Sequence, residues 1–156
     1  MGSMNGRPIS SIEKLVSSME PELDPDEFVY CTLAAGTADR LQIDALCRFH
    51  EGEGETLILR RAEAERSRLA FAFPCRKITL RVHSSLEAVG FLPVVAGELA
   101  KHGISANCIS AYYHDHLFVP ASDGERALSI LRELQRRSTT LPESDDARCV
   151  QHRTIS

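Results

Sequence analysis

The chain has 156 residues, of which 43% are hydrophobic and 26% charged, a balance typical of a globular protein that forms one ordinary domain or two small ones. Its formal net charge of −4 at pH 7 gives no overall attraction to nucleic acid. No apolar run approaches the roughly 18 residues that cross a bilayer, and the N-terminus lacks the apolar core of a secretion signal. We therefore expect neither a nucleic-acid nor a membrane partner.

The first half of the chain begins with a predicted helix. Ser10 and Glu13 have the spacing of a capping box, and apolar residues follow at helical spacing until Pro21. Strands are predicted over residues 28–33, 46–50 and 56–59, a charged helix over 60–69, and a closing extended segment over 71–74. The segment 36–39 is expected to be a connection, and the acidic, glycine-containing segment 51–55 a loop.

The second half begins with a predicted strand over residues 77–83, in which apolar and polar residues alternate. Pro93 fits only in the first turn of a helix, so the next helix cannot begin much before Val89. Gly103 is suited to end that helix. Strands are then predicted over 104–109 and 117–119, with a tight turn at His114-Asp115. A capping-box spacing at Ser122 and a final amphipathic helix ending at 136–137 complete this half.

The order of these elements indicates two related halves, each an antiparallel sheet with helices on one face. Each half is one strand short of a closed βαββαβ unit, so we predict that strands are shared and that residues 75–83 serve both halves. The predicted divisions are a flexible N-terminal tail over residues 1–9, units over 10–73 and 74–137, and a polar C-terminal tail over 138–156.

Three stretches carry a resemblance to a known family. The segment VGFLPVVAGELAKHGIS resembles the helix of ACT domains, in which glycines stand where Gly90 and Gly103 stand here. The motifs HSSLEAVG and YYHDHLFVP, with SMEPEL and EFVYCTL, resemble a family of small tandem ACT proteins over residues 10–137. The same organisation occurs in cytosolic arginine sensors of animals and in regulatory regions of aspartate kinases. One departure is EGEGETLI, two residues longer than the family's EGLTLI, which weakens any contact carried over from that loop.

The resemblance implies an α+β fold of two ACT-like (ferredoxin-like) units. It also implies that the protein binds an amino acid or similar small zwitterion between the first loop of one unit and a strand of a neighbouring unit, often across a homodimer interface. With no catalytic domain attached, such a protein would be a regulatory sensor acting in trans on a protein partner.

The best candidate site is the loop before the Pro93 helix, where free backbone N–H groups at the positive end of the helix dipole can receive a carboxylate. Its residues are Ser84, Ser85, Leu86, Glu87, Ala88, Val89 and Gly90. The following strand adds Asn107, Cys108 and Ile109, and the hairpin adds His114 and Asp115. Glu87 or Asp115 could meet a ligand ammonium. Alternatively, Ser84 and Glu87 only cap the helix, Gly90 only satisfies backbone angles, and Asn107 is only solvated.

Other chemistries have less support in the sequence. The cluster His114-Asp115-His116 suggests zinc, but no third ligand lies at motif spacing, and hydrogen bonding that fixes the hairpin, with Asp115 as a turn residue, is the commoner role. No Ser-His-Asp context, P-loop or dinucleotide fingerprint is present, so we expect no enzyme activity and no cofactor or metal. The alternative function is a ligand-free dimerisation or protein-interaction module.

The number and spacing of the cysteines indicate the redox state of the cellular compartment. The chain has five, an odd number, widely spaced and without a C-x-x-C pair. In the absence of an export signal, reduced thiols are the simplest interpretation and predict a cytoplasmic protein. Cys31, Cys47 and Cys108 lie in apolar strand-like runs and are expected to be small core residues.

Overall fold

The computed structural model describes residues 11–140. The helices are α1 (Ile12–Ser18), α2 (Thr37–Arg40), α3 (Arg61–Arg66), α4 (Phe91–Lys101) and α5 (Gly124–Thr140), the last preceded by a 3₁₀ turn, Ala121–Asp123. The strands are β1 (Pro21–Leu33), β2 (Cys47–Glu51), β3 (Gly54–Arg60), β4 (Ala72–Leu80), β5 (Asn107–Ser110) and β6 (Asp115–Pro120). The tail predicted over 1–9 lies outside the described residues. Of the tail predicted over 138–156, residues 138–140 belong to α5 and the rest is also outside them.

All six strands form one antiparallel sheet in the order β2-β3-β1-β4-β6-β5. The first unit consists of β1, β2 and β3 with β4 as its fourth strand. The second unit consists of β4, β5 and β6, and its fourth strand is the beginning of β1, where Pro21 pairs with Leu80 and Leu23 with Ile78. The predicted α+β fold with shared strands is thereby confirmed. The predicted division between residues 73 and 74 falls inside the shared strand β4.

The helices pack on one face of the sheet, as predicted. One buried cluster joins α1, α4 and α5 to β4 and β6, and its largest members include Leu15, Ile78, Leu99 and Leu117. A second cluster joins the short helices α2 and α3 to β1 and β3. Although it precedes β1, α1 packs on α4 and α5 and therefore belongs to the core of the second unit.

The opposite face of the sheet carries a smaller cluster. Its buried members are Phe28, Ile58, Cys75 and Phe118. The Phe28 and Phe118 rings meet edge to face with centroids 6.0 Å apart, and the Lys77 ammonium lies 5.3 Å from the centre of the Phe28 ring. This face therefore has its own small buried core, on which none of the described helices packs.

The predicted core cysteines are placed on both faces of the sheet. Cys31 is buried against α2 and α3, whereas Cys47 and Cys108 are half-buried against two different clusters.

Several boundaries differ from the predictions for local reasons. Residues 36–39, expected as a connection, overlap helix α2, which runs from Thr37 to Arg40. Helix α3 stops at Arg66 rather than 69 because Arg68 has φ 52° and the Leu69 N–H returns to the Ala64 carbonyl. The strand expected from Ile104 begins only at Asn107, since the Ile104 N–H bonds to the Leu99 carbonyl and so belongs to the end of α4.

Of the two predicted capping boxes, the first includes Ser10, which lies outside the described residues. Ser11, not Ser10, is the N-cap of α1, and its hydroxyl donates to Glu13 instead of accepting from the helix backbone. Ser122 lies in the 3₁₀ turn that precedes α5, and no side chain caps that turn. Helix α5 continues to Thr140, beyond the predicted end at 136–137.

Candidate functional site

The candidate loop runs from the end of β4 to Gly90, the N-cap of α4. Gly90 has φ 93°, in the left-handed region that favours glycine, and a Cβ there would lie 2.9 Å from Cδ1 of Ile12. Pro93 is the third residue of α4 and therefore lies in the first turn of the helix, as predicted. The Ser85 hydroxyl accepts the Glu87 N–H at 3.1 Å, and the Ala88 N–H donates to the Ser85 carbonyl at 2.9 Å. These bonds hold the loop in a tight turn before the helix.

Asp115 is the anchor of this loop. Its carboxylate is 4% exposed and accepts from the Ser84 hydroxyl at 2.8 Å and from the Ser110 hydroxyl at 2.6 Å. The alternative in which Ser84 caps α4 is therefore wrong, because Ser84 donates to β6 and the cap is Gly90. Hydrogen bonds to a buried charged group are the stronger class, about 1.5–3 kcal/mol each.

The hairpin between β5 and β6 also differs in detail from the prediction. Asp115 is the first residue of β6, not a turn residue, and the turn spans residues 111–114, closed by the Ala111 N–H on the His114 carbonyl at 3.1 Å. His114 lies beside the candidate loop, with Nδ1 3.3 Å from the Val82 carbonyl oxygen. The hairpin and the loop are thus tied together from both sides.

A small cavity of about 40 Å³ lies between the loop, α4 and this hairpin. Its lining residues are Ser85, Leu86, Ala88, Phe91, Leu92, Ser110 and Asp115. Sequence analysis missed Phe91, Leu92 and Ser110. Ser110 pairs directly with Asp115 across the hairpin, so a correct placement of the turn would have found it. The cavity has room for ordered water but not for a whole amino acid.

The other predicted site residues lie outside this cavity. Asn107 is exposed at the far end of β5, where it pairs with Phe118. Cys108 packs on the helix side of the sheet and Ile109 on the opposite side. Glu87 and Val89 are exposed on the outer surface of the loop. The strand therefore contributes Ser110 to the cavity.

Large hydrophobic side chains are exposed on the candidate loop and on the β5–β6 hairpin, and one of them, Leu86, also lines the cavity. The exposed fractions are 64% for Leu86, 84% for Val89, 71% for Tyr112 and 61% for Tyr113. The two tyrosine rings are 4.9 Å apart, and the His83 ring lies 5.8 Å from that of Tyr113. We call Leu86, Val89, Tyr112 and Tyr113 the apolar rim. Large apolar side chains this exposed are suited to contact with another molecule.

A larger open groove, of about 660 Å³, lies on another part of the surface. It is lined by Glu20, Pro21, Glu22, Arg81, Arg132, Gln135 and Arg136. Arg81 forms an ion pair with Glu22 inside it, and none of the predicted site residues reaches it. Despite its size, this groove lacks a buried polar group that could orient a ligand, so we place the site at the smaller cavity.

The residues 11–140 contain no group of three or more His, Cys, Asp or Glu side chains that could hold a metal ion. His114 faces the Val82 carbonyl, and His116 Nδ1 lies 3.0 Å from the Thr79 hydroxyl oxygen. Burial lowers the pKa of His116 below its ordinary value. Over the same residues, no helix is both long enough and apolar enough to span a membrane.

Two family models match the chain, and both describe the ACT domain. The first covers residues 7–76 and the second residues 73–133, so the two matches overlap inside the shared strand β4. No curated protein matches the chain.

Solved structures show the same architecture. A protein of unknown function from Vibrio cholerae, described as a possible transport protein, is 42% identical, with a TM-score of 0.72, over 81% of this chain and 97% of that one. The ligand-free regulatory subunit of aspartate kinase from Thermus thermophilus is 12% identical, with a TM-score of 0.58, over 75% and 96%. A protein from Agrobacterium tumefaciens is 15% identical, with a TM-score of 0.63, over 75% and 89%. The last two establish likeness of fold alone.

Proposed function

Because this chain belongs to the ACT-domain family, with two ACT domains in tandem, we propose that it is a regulatory sensor that binds an amino acid or similar small zwitterion between β4 and α4. ACT domains support a small-molecule-binding regulatory role in general. The nature of the ligand and its position in the second unit are our inference from the site.

The observation that carries this proposal is the meeting of opposite charges across one small cavity. The N–H groups of the first turn of α4 have no partner within the helix, and Phe91 and Leu92 of that turn line the cavity. They are suited to an α-carboxylate. Opposite them, Asp115 accepts two hydroxyl hydrogen bonds and, since a carboxylate has about four lone-pair directions, can still accept from an ammonium.

The cavity must be enlarged or completed before it can hold such a ligand. The apolar rim beside it supports completion by a second copy of the chain, which would cover Leu86, Val89, Tyr112 and Tyr113 and close the site from above. We therefore propose a homodimer formed through this rim. The face carrying Thr79 and Arg81 offers less apolar surface, because their side chains are engaged with His116 and Glu22.

We propose further that the protein has no catalytic activity of its own and acts on a partner protein in trans. A ligand could control such a partner only by binding one arrangement of the dimer more tightly than another.

One observation favours the second candidate function, a ligand-free dimerisation or interaction module. The protein's own Ser84 and Ser110 hydroxyls already satisfy Asp115, and the remaining space is small. In that case the network would serve only to hold the loop, and the apolar rim would be the functional surface.

A thermal-shift panel of the twenty amino acids distinguishes the two functions. A ligand near a hundred times its Kd stabilises by about 2.7 kcal/mol, or roughly 5–10 °C for a domain of this size. Asp115→Asn, which keeps the side-chain shape but removes the charge, should abolish the shift. Asn107→Ala, at the far end of β5, should retain it. A flat panel for a protein that light scattering finds dimeric supports the ligand-free module instead.

The dimer has its own test. Tyr113→Glu places a charge in the middle of the apolar rim and should produce monomers at micromolar concentration. Phe49→Glu, on exposed sheet surface away from the rim, is the matched control and should leave the association state unchanged. A wild-type monomer would contradict the proposed homodimer.

A further inference from the structure

The two units repeat one arrangement at the same register. In the first unit Leu33, the last residue of β1, pairs with Glu55 of β3. In the second unit Leu80, the last residue of β4, pairs with Asp115 of β6. Both acids are buried, Glu55 being 2% and Asp115 4% exposed. A buried acid therefore stands at the same place in both halves, beside the loop that enters the next helix.

The loops beside these acids end alike. Gly36 precedes α2 with φ 75°, as Gly90 precedes α4 with φ 93°. The Gly36 N–H donates to Oε1 of Glu55 at 2.9 Å. Thus one oxygen of Glu55 holds its loop in place, in the way that Asp115 holds the longer loop of the second unit.

The second oxygen of Glu55 distinguishes the two halves. Asp115 receives a hydroxyl donor on each oxygen, from Ser84 on Oδ2 and from Ser110 on Oδ1. Oε2 of Glu55 is buried and has no hydrogen-bond partner. Of the described side chains, it is the one buried oxygen or nitrogen left in that condition. Because a buried carboxylate oxygen without a donor is costly, native proteins rarely keep one without a water molecule, an ion or a ligand group to satisfy it.

We propose that Glu55 is the binding residue of a second ligand site, in the first unit, for a small primary ammonium group. An ammonium carries three N–H donors, so it supplies the donor that Oε2 lacks. A metal ion fits less well, since the described residues offer no group of three ligands there. This site is separate from the cavity beside Asp115.

The way into the site passes His50. His50 pairs with Glu55 across the β2–β3 hairpin, as Ser110 pairs with Asp115 in the second unit. Its ring nitrogen Nδ1 lies 3.6 Å from Oε1 of Glu55, and its side chain is 74% exposed. β2 is an edge strand, and its Arg48 also interacts electrostatically with Glu55. A slender ammonium that reaches Oε2 from this edge would have to displace the exposed His50 ring.

The test is an NMR titration of the full chain with n-butylammonium chloride, followed through the amide resonance of Gly36, which reports on Glu55. Tetramethylammonium chloride at equal ionic strength is the control, because it has the charge but no N–H donor. We expect a saturable shift with butylammonium and none with tetramethylammonium. No saturable shift with butylammonium, or equal shifts with both ions, would overturn the proposal.

Variants then assign the site. Glu55→Gln keeps an acceptor for Gly36 but loses the charge, and it should abolish the butylammonium response. Asp115→Asn, at the equivalent place in the second unit, should retain that response and lose only the zwitterion binding proposed above. Should Glu55→Gln not fold, Glu55→Asp withdraws the carboxylate by one methylene and should weaken binding at least tenfold. An unchanged affinity in a folded Glu55 variant would refute the assignment.

Discussion

Ser84→Ala tests the network that holds the candidate loop. The substitution removes the hydroxyl that donates to Asp115 at 2.8 Å and leaves Oδ2 of a buried carboxylate without this donor. A hydrogen bond to a charged group contributes about 1.5–3 kcal/mol, and both partners here are more than nine-tenths buried, which favours the upper half of that range. We expect a loss of about 2–3 kcal/mol in the free energy of unfolding.

Thermal and urea unfolding measure this loss. For a domain of this size, each kcal/mol lowers Tm by roughly 2–4 °C, so Ser84→Ala should lower it by roughly 4–12 °C. Ser85→Ala is the matched control in the same loop. Its hydroxyl accepts one backbone N–H at 3.1 Å on the exposed side, so it should cost about 0.5–1 kcal/mol. Equal losses for the two serines would refute the argument that Asp115 anchors the loop.

Three further predictions concern α4 and pH. Gly90→Ala should destabilise the protein by about 1–2 kcal/mol in urea unfolding, since the φ of 93° at this residue is left-handed. Gly97→Ala, with nothing within 4 Å of the new Cβ, should instead stabilise it by about 0.5–1 kcal/mol. Effects of the same sign for the two variants would contradict this prediction. Burial lowers the pKa of His116, so on acidification this histidine is protonated in the unfolded chain before it is protonated in the folded chain. The free energy of unfolding should therefore fall as pH drops below 6.5. His116→Gln should flatten that slope in urea unfolding between pH 7 and 5, and an unaltered slope would count against it. The Arg137 guanidinium and the Lys101 ammonium lower the pKa of Glu98, so its stabilisation should be lost as pH falls below 4.5. The stability difference between wild type and Glu98→Gln should therefore shrink on acidification, and a constant difference would exclude this role.

The helix starts and the shared strands could be predicted because they follow from local chemistry and from counting. Pro93 allows few places for the start of α4, and the helix begins two residues before it. Each half was predicted to have one strand fewer than a closed βαββαβ unit, so the two halves had to share strands. The spacing of apolar residues was also sufficient to predict helix α1, although nothing in its sequence indicated that the helix packs on the second unit.

The site was harder to predict because its residues are brought together by register. Asp115 follows a histidine near a hairpin, a context typical of an exposed turn, yet pairing with Leu80 places it on the buried face of β6. A one-residue change in turn position moves every side chain of a strand to the other face. That is also why Ser110 reaches the cavity and Asn107, which looked the better ligand in the sequence, does not.

The shared strands determine how the two proposed sites could influence each other. The first unit's loop leaves β1 after Leu33 and the second unit's loop leaves β4 after Leu80, and these strands are antiparallel neighbours. The loops therefore lie toward opposite ends of the sheet, joined by the two central strands. The β1–β4 pairing is irregular between Leu23 and Glu27, which separates the part of β1 that serves the second unit from the part that serves the first. Coupling between the sites must be reciprocal. If a ligand at Asp115 changes the affinity for an ammonium at Glu55 by some factor, the ammonium must change the affinity for that ligand by the same factor. Titrating each ligand in the presence of the other measures both factors, and an effect that keeps growing with the concentration of the second ligand would mean that the two ligands compete for one site.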